Sequence, residues 1–421
     1  MGAESGSDSY DVLIAGGGLV GASLACALGN QALRVGVIEA RPLKSDLQPS
    51  FDARSVALAW GSRRVFEAMD LWADMAALGV APIEHIHVSD RGRPGVAHLD
   101  CAQQGVEAFG YVLENRVLGQ VLGAALPRYD NIDFICPATL AEFDGAGGAA
   151  VKVAINHDGE PRELSTRLLV AADGGDSMVR TLADIGTVNI DYGQSAIIAN
   201  VVSARPHRNT AYERFTGSGP LAVLPACDHG SAQEAGRRCA LVWTVRNSQC
   251  DEVLALDDAA FINRLQQRFG DRLGGFTRVG ERHAYPLSLR HAREHVRPRL
   301  AVVGNAAHTL HPVAGQGFNL GLRDVAVLAQ VVSDAVRAGQ DPGSLQVLKQ
   351  YANWRRRDHL QVSAFTDGLV RVFSNDSLPL AVARNLGLLA LDIVPPLKGL
   401  LARHAMGFVG KLPRLARGLP L

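Results

Sequence analysis

The chain has 421 residues, 47% hydrophobic and 20% charged, and its 42 basic side chains are balanced by 42 acidic ones. That length exceeds one ordinary core, so two domains and a C-terminal appendage are expected in a soluble globular protein. Zero formal net charge argues against nucleic acid, which would need a basic face. The six cysteines include no CxxC pair, so they read as reduced core thiols of a cytosolic protein.

The opening MGAESGSDSY has neither a basic stretch nor an apolar core, so no secretory signal is expected there. No window approaches 18 uninterrupted apolar residues, so no membrane-spanning helix is expected either. Tyr10 to Ala15 is a short apolar run of strand character, followed by GGGLVG and the helical segment ASLACALGN. A second strand, RVGVIEA, ends at Glu39, 18 residues beyond Gly21. Gly16, Gly18 and Gly21 thus give the G-x-G-x-x-G spacing in a strand–turn–helix context. Gly16 permits the tight turn, Gly18 lets a pyrophosphate approach the backbone, and Gly21 lets helix and strand pack closely. The helix start supplies free N–H groups for phosphate, and Glu39 is placed to accept hydrogen bonds from an adenosine ribose. A bound dinucleotide follows; this segment alone leaves NAD and FAD open.

Further along come Arg54 in FDARSVAL and Arg116 in LENRVLGQVL, at the start of a helix. IEHIHVSDR and GVAHLD form a hairpin pattern between them. LLVAADGGDSMVR then carries an apolar strand into Asp173-Gly174, with Ser177 and Arg180 beyond. SAIIANVV, TAYERFT, LAVLPA and RCALVWTV are β-branched or aromatic runs and predict a mainly antiparallel sheet. The strand LAVVG enters GNAAHTLHPVAGQGFNLGLRD, and an amphipathic helix follows. Two further strands thus end in glycine-containing loops, as expected if one long cofactor crosses the carboxyl edge of a parallel sheet. His308 and His311 have no cysteine or carboxylate at matching spacing, so no metal is expected; the pair reads as loop histidines that fix the turn. Tyr192, Tyr212 and Tyr285 read first as sheet or core aromatics, and offer an ionisable hydroxyl by residue type only.

Taken together, GGGLVG with Glu39, FDARSVALAWGSRRVFEAMDLW, Asp173-Gly174 to Arg180 and the loop from Gly304 to Asn319 resemble the FAD-dependent aromatic hydroxylases of the p-hydroxybenzoate hydroxylase fold. The resemblance spans about residues 10–375. FDARSVAL, HVSDRG, YERFTGSGPLAVLP, AYPL and GNAAHTLHPVAGQGFNLGLRD are similar to the ubiquinone-biosynthesis branch, nearest to the 2-polyprenyl-6-methoxyphenol hydroxylases. The wider class usually carries aspartate where this chain has Asn305, a weaker neutral acceptor for a ribityl hydroxyl.

The resemblance implies an α/β fold: a Rossmann-like FAD-binding domain, an inserted antiparallel-sheet substrate domain and a helical C-terminal tail. Residues 10–80, 105–182 and 285–375 would form the FAD-binding domain, 81–104 and 183–284 the substrate domain, and 376–421 the tail. It implies FAD contacts from Gly16, Gly18, Gly21, Glu39, Arg54, Arg116, Asp173, Asn305, Gly315, Gly317, Phe318 and Asn319. Residues 312–319 would line the isoalloxazine, with the following helix start aimed at its N1–C2=O edge; His311 and Pro312 are placed at the reacting centre. NADPH or NADH would reduce the flavin, O2 would give a C4a-hydroperoxide, and one oxygen would pass to a polyprenylated methoxyphenol. The alternatives are hydroxylation at another ring position, a flavin reductase, or a flavin-binding scaffold among other ubiquinone-biosynthesis enzymes. Residues 377–421 carry six basic side chains and one acid, Asp392, within Leu-rich segments. This tail reads either as a helical pair packed on the FAD domain or as a peripheral contact with the inner face of a membrane.

Overall fold

A computed structural model describes residues 8–43, 54–144, 148–228, 234–310, 315–373, 378–408 and 410–421. Ser9–Ala15 sits at the centre of an eight-stranded sheet, in parallel register with Val35–Ile38 on one side and Glu160–Ala171 on the other. Leu300–Val302 extends the sheet, parallel to Glu160–Ala171. Their uninterrupted apolar sequences follow from burial on both faces. Val12, Ile14, Val35, Val37, Leu168 and Val170 pack under helices contributing Leu24, Leu118, Leu122, Leu322 and Leu328. Leu13, Ala15, Ile38, Leu169 and Val302 pack on the other face against Val151, Val153 and Ile155.

The three strands entering glycine loops are therefore neighbours. Ala15 pairs with Ala171, and Ala171 with Val302, which sets the Gly16, Asp173 and Gly304 turns side by side at one carboxyl edge. Ligands of open parallel sheets bind at that edge.

A nine-stranded sheet is built from His85–Asp90, Val96–Asp100 and six segments between residues 187 and 292, with His308–Thr309 at one edge. The hairpin joins it as expected, although His85–Asp90 runs parallel to Thr210–Thr216. Ala81–Ile83 pairs instead with Gly110–Glu114, which also pairs with Ser55–Ala59. His283–Ala292 pairs along Thr187–Ser203 inside the nine-stranded sheet, so this sheet extends past residue 284, where the sequence reading closed the substrate domain. One sheet face buries Ile197, Leu221, Val223, Leu241 and Trp243 under Phe261, Leu265 and Phe269 of the helix Asp258–Phe269.

The tail makes two different attachments. Leu378–Ile393 lies on the hairpin with its polar residues turned inward. Arg384 Nε donates to Asp90 Oδ2 at 2.9 Å, and Asn385 Oδ1 accepts from Gly95 N at 2.7 Å. Val382, Leu386, Leu389 and Ile393 recur at helical spacing on the outer side, with Leu386 62% and Ile393 74% exposed. Beyond the helix Pro395–Ala405, Met406 O accepts from Gly61 N, and Leu415 and Ala416 enter the main core. No single helix among the described residues is long and apolar enough to cross a membrane.

Candidate active site

Gly16 takes φ +100, and a Cβ there would stand 2.6 Å from Ala172 O. A Cβ on Gly21 would come within 1.8 Å of Gly16 O, so only glycine lets the helix Leu19–Ala27 begin so close to the strand end. Gly18 is the N-cap, in extended conformation, and no side chain caps the helix. The first-turn N–H groups are thus left for an anionic ligand. Glu39 has moved just past its strand, and its carboxylate clamps the turn, accepting from Gly17 N at 2.6 Å and Arg41 N at 2.9 Å. A carboxylate offers about four lone-pair directions, so acceptance from a ribose hydroxyl stays open to it.

Asp173 supplies the clearest vacancy. Its Oδ2 accepts from Val179 N at 3.1 Å, while Oδ1 is buried without a partner among the described residues. A buried unpaired carboxylate oxygen is costly, and a cofactor hydroxyl beside it would satisfy it. Arg180 serves the scaffold: its guanidinium donates to Ala306 O at 2.7 Å and Gly175 O at 2.8 Å, tying this turn to the Gly304–Ala306 turn. Asn305 sits exposed at the tip of that second turn.

Arg54 lies with its guanidinium 4.8 Å from the centre of the Tyr285 ring, so it bridges the FAD-side sheet to the nine-stranded sheet. Arg116 begins its helix as expected and pairs with Glu114; Asn115 N donates to Arg54 O at 2.8 Å, holding both arginines in one corner.

The helix Gln316–Arg337 starts from Gly315 at φ +61. Among the described residues, a Cβ on Gly317 would meet nothing within 4 Å, so bare backbone is left there, as a flat ring would require. Phe318 does not face that side. It stacks on Phe66 with ring centres 6.5 Å apart and belongs to the FAD-domain core.

Asn319 also departs from expectation. Its Oδ1 accepts from Ala59 N at 2.8 Å and Ser62 Oγ at 2.7 Å, and its Nδ2 donates to Ala57 O at 2.7 Å and Gly315 O at 2.6 Å. An amide has two donors and one oxygen with two lone pairs, so all four positions are filled. The side chain fixes the helix start against the strand Ser55–Ala59 and has none left for FAD. His311 and Pro312 lie outside the described residues.

Behind the loop runs a buried polar network that the sequence reading missed. Asp324 accepts from Arg355 Nε at 2.7 Å, pairs with His308 Nε2 at 2.7 Å and His359 Nε2 at 2.6 Å, and accepts from Gly304 N at 3.2 Å. Burial would raise its pKa, but His359, Arg355 and His308 together hold it well below the carboxylate range. Burial pushes His359 down to about 4, while the Arg355 guanidinium, held up by Asp324 and Asp358, stays charged beside it. The His308, Asp324 and His359 ligand atoms lie within 4.8 Å of one another. Arg355 beside them opposes a divalent ion, and the arrangement acts as a hydrogen-bonded lock. The signal available in the sequence was HTLHP and GLRD around one loop; the partners Arg355 and His359 came from a distant helix.

Tyr212 is excluded as a substrate contact by sheet parity: it packs edge-on against Phe269, on the face covered by the helix Asp258–Phe269. Tyr192 donates to Asp367 at 3.1 Å, and Tyr285 carries Arg54.

A Rossmann-like sheet with three bare-backbone turns at one edge, roofed by a second sheet, defines a FAD-dependent flavoprotein of the p-hydroxybenzoate hydroxylase fold. Solved structures share it: p-nitrophenol 4-monooxygenase from Pseudomonas putida superposes with a TM-score of 0.75 at 20% identity, covering 95% of this chain and 98% of that one. A model of the FAD binding domain family matches residues 9–366, and the chain belongs to that family. It is 43% identical to the ubiquinone hydroxylase UbiL of Rhodospirillum rubrum, covering 98% of this chain and 93% of the relative. Identity is 31% to the 3-demethoxyubiquinol 3-hydroxylase of Escherichia coli (94% and 98% covered) and 30% to human ubiquinone biosynthesis monooxygenase COQ6 (96% and 92%).

Proposed function

We propose that the protein is a FAD-dependent hydroxylase that adds one oxygen atom of O2 to the aromatic ring of a polyprenylated methoxyphenol in ubiquinone biosynthesis, with NADPH or NADH as reductant. The observation that carries this reading is the unpaired Asp173 Oδ1 beside three bare-backbone turns, in a chain 43% identical over nearly its whole length to a ubiquinone hydroxylase.

FAD, when bound, would supply the redox chemistry, namely hydride acceptance from a nicotinamide and activation of O2. The chain's own residues do the rest. The Gly16–Gly18 turn and the helix start at Leu19 hold the pyrophosphate, and Glu39 and Asp173 receive hydroxyls of the two sugar-like segments. The Gly317 backbone would lie against the ring, and the helix start at Gln316 would favour negative charge there. The nine-stranded sheet roofs the site and excludes water, which protects the reactive oxygen from wasteful release as peroxide.

The ring position separates the named relatives from one another, and the alternative of another carbon on a ubiquinone precursor stands beside the main reading. We further propose that the outward stripe of Leu386, Leu389 and Ile393 rests on a lipid surface at the cytoplasmic side of the membrane, where a polyprenyl chain resides.

The test is to incubate FAD-loaded protein with NADPH, 18O-labelled O2 and a short-chain 2-prenyl-6-methoxyphenol, then fragment the product. One labelled oxygen on the ring is expected. Donor oxidation that gives only peroxide with every ubiquinone-ring phenol would refute the substrate reading.

A further inference from the structure

The face of the nine-stranded sheet that looks toward the FAD domain is identified by Arg54, which reaches across to Tyr285. Residues directly opposite in register share a face. Tyr285 pairs with Ala196, and Ala196 with Thr244. Two residues along the same strands, His283 pairs with Ile198, Ile198 with Val242, Val242 with Ala222, Ala222 with Glu213 and Glu213 with Val88. Glu213 therefore stands on the Tyr285 face, in a row otherwise made of Ile198, Val242, Ala222 and Val88. Those four are only half-buried, whereas Leu221, Leu241 and Trp243 on the opposite face are fully covered. At one end of the row Val88 packs with Phe215 beside Leu388 of the tail helix, while Ile198, Val242 and Ala222 stay half-buried on the side of the FAD domain. Ala211, two residues before Glu213, packs with Ala81, Ile83 and Met406 beside Ala57 and Trp60, which fixes the direction independently.

Within that apolar row, Glu213 Oε1 is buried with no hydrogen-bond partner among the described residues. Arg214 points to the other face, donating to Arg268 O at 3.1 Å. Asp90, beside Phe215, is neutralised by Arg384 of the tail helix at 2.8 Å. Gly219–Pro225 contributes no titratable side chain. Tyr285 and His283 lie across the sheet on the far strand, and the Arg54 cation is spent over Tyr285.

We propose that Glu213 is the group that touches the phenolic hydroxyl of the substrate and accepts its proton. This rests on the hydroxylase reading above. The O–H bond breaks with its electron pair left on the phenol oxygen, and the proton passes to the Glu213 carboxylate. The ring then carries the electron density needed at the carbon to be hydroxylated. Glu213 later returns the proton to the product oxygen or to solvent, so it takes no part in the electron balance. The same burial that leaves Oε1 unpaired raises the Glu213 pKa to about 7, close to operating pH, where a general base is most effective.

The experiment compares the FAD-loaded full chain with Glu213→Gln and Glu213→Asp, using NADPH, O2 and a short-chain 2-prenyl-6-methoxyphenol. Hydroxylated product and peroxide are measured per bound flavin across pH, so a folding defect cannot imitate a catalytic one. Wild-type product formation is expected to rise with pH through a group near 7. Glu213→Gln should lose that rise and at least about 100-fold in product, with donor oxidation diverted to peroxide. Glu213→Asp should keep the pH rise and recover part of the rate. A Gln variant with wild-type product yield and pH profile overturns the assignment, as does an Asp variant no better than Gln. If wild type itself hydroxylates no ubiquinone-ring phenol, the substrate reading fails instead.

Discussion

Asp324 and His308 are joined at 2.7 Å, carboxylate Oδ2 to imidazole Nε2, with both side chains sealed from solvent. This bond ties the loop after Gly304 to the helix Gln316–Arg337, whose start faces the cofactor position. Replacing Asp324 with Asn removes one of two carboxylates holding the buried Arg355, the other being Asp358. Breaking a buried pair from one side costs about 3–5 kcal/mol. Asp324→Asn should therefore shift the urea midpoint strongly and release FAD. Unchanged midpoint and flavin content would show the lock to be dispensable.

Gly317→Ala separates stability from binding. Gly317 is the second residue of its helix, where alanine is favoured by at most about 1 kcal/mol, and its Cβ would meet no described atom of the protein. The apo form should melt slightly higher, yet FAD affinity should fall, because the methyl group stands where the ring must lie. Equal affinity in a flavin titration would mean that the ring lies elsewhere.

Asp173→Ala should weaken FAD binding about 10-fold or more while costing the apo protein little. Its one described bond is to Val179 N, and the other oxygen is unpaired; removing an unpaired buried oxygen relieves a penalty rather than creating one. Ultrafiltration of the holoprotein gives the affinity and thermal melting gives the stability. A large loss of apo stability with flavin binding intact would contradict this.

Asn319 gives the opposite pattern. Its amide fills four bonds within the protein, so Asn319→Ala should destabilise the apo form by about 2 kcal/mol or more. Asn319→Asp should fare no better, since a carboxylate facing Ala57 O and Gly315 O can donate to neither. Denaturant melts of the two variants decide the point. An aspartate variant as stable as wild type would show the amide donors to be unimportant.

Glu213 makes a pH prediction for stability as well. Burial raises its pKa from 4.5 to about 7, so between those values the folded chain holds a proton that the unfolded chain has released. Stability must then fall as pH rises through that window. Glu213→Gln, which cannot ionise, should flatten the fall. Parallel curves of denaturation midpoint against pH would refute it.

The tail shows how far sequence reasoning reached. Its Leu-rich, basic character suggested packing on the FAD domain or lying in an interface. The chain does the first with Leu415 and Ala416 in the main core, while Leu378–Ile393 turns Arg384, Asn385 and Leu388 inward and Leu386, Leu389 and Ile393 outward. Truncation after Asn375 would thus remove core residues as well as the apolar stripe. Charge substitutions such as Leu386→Glu isolate the stripe; liposome association should fall with flavin content unchanged.

By itself, the sequence determined what local chemistry dictates. Glycine spacing marks turns too tight for a Cβ, uninterrupted apolar runs mark strands buried on both faces, and an acid ending the second strand marks an acceptor for a ribose; that Glu39 also clamps the first turn came only from the structure. Those signals act over a few residues and survive in one dimension. The tertiary structure alone decided which polar atoms were already spent. Asn319 stood in a flavin motif yet has no free lone pair or proton, and Asp173 keeps one unpaired oxygen. Glu213 passed as one letter of a strand until register placed it on the inner face. Hydrogen-bond capacity is consumed by partners about 260 residues away in the case of Asn319, and sheet parity depends on which strands meet. Neither is written in the order of the amino acids.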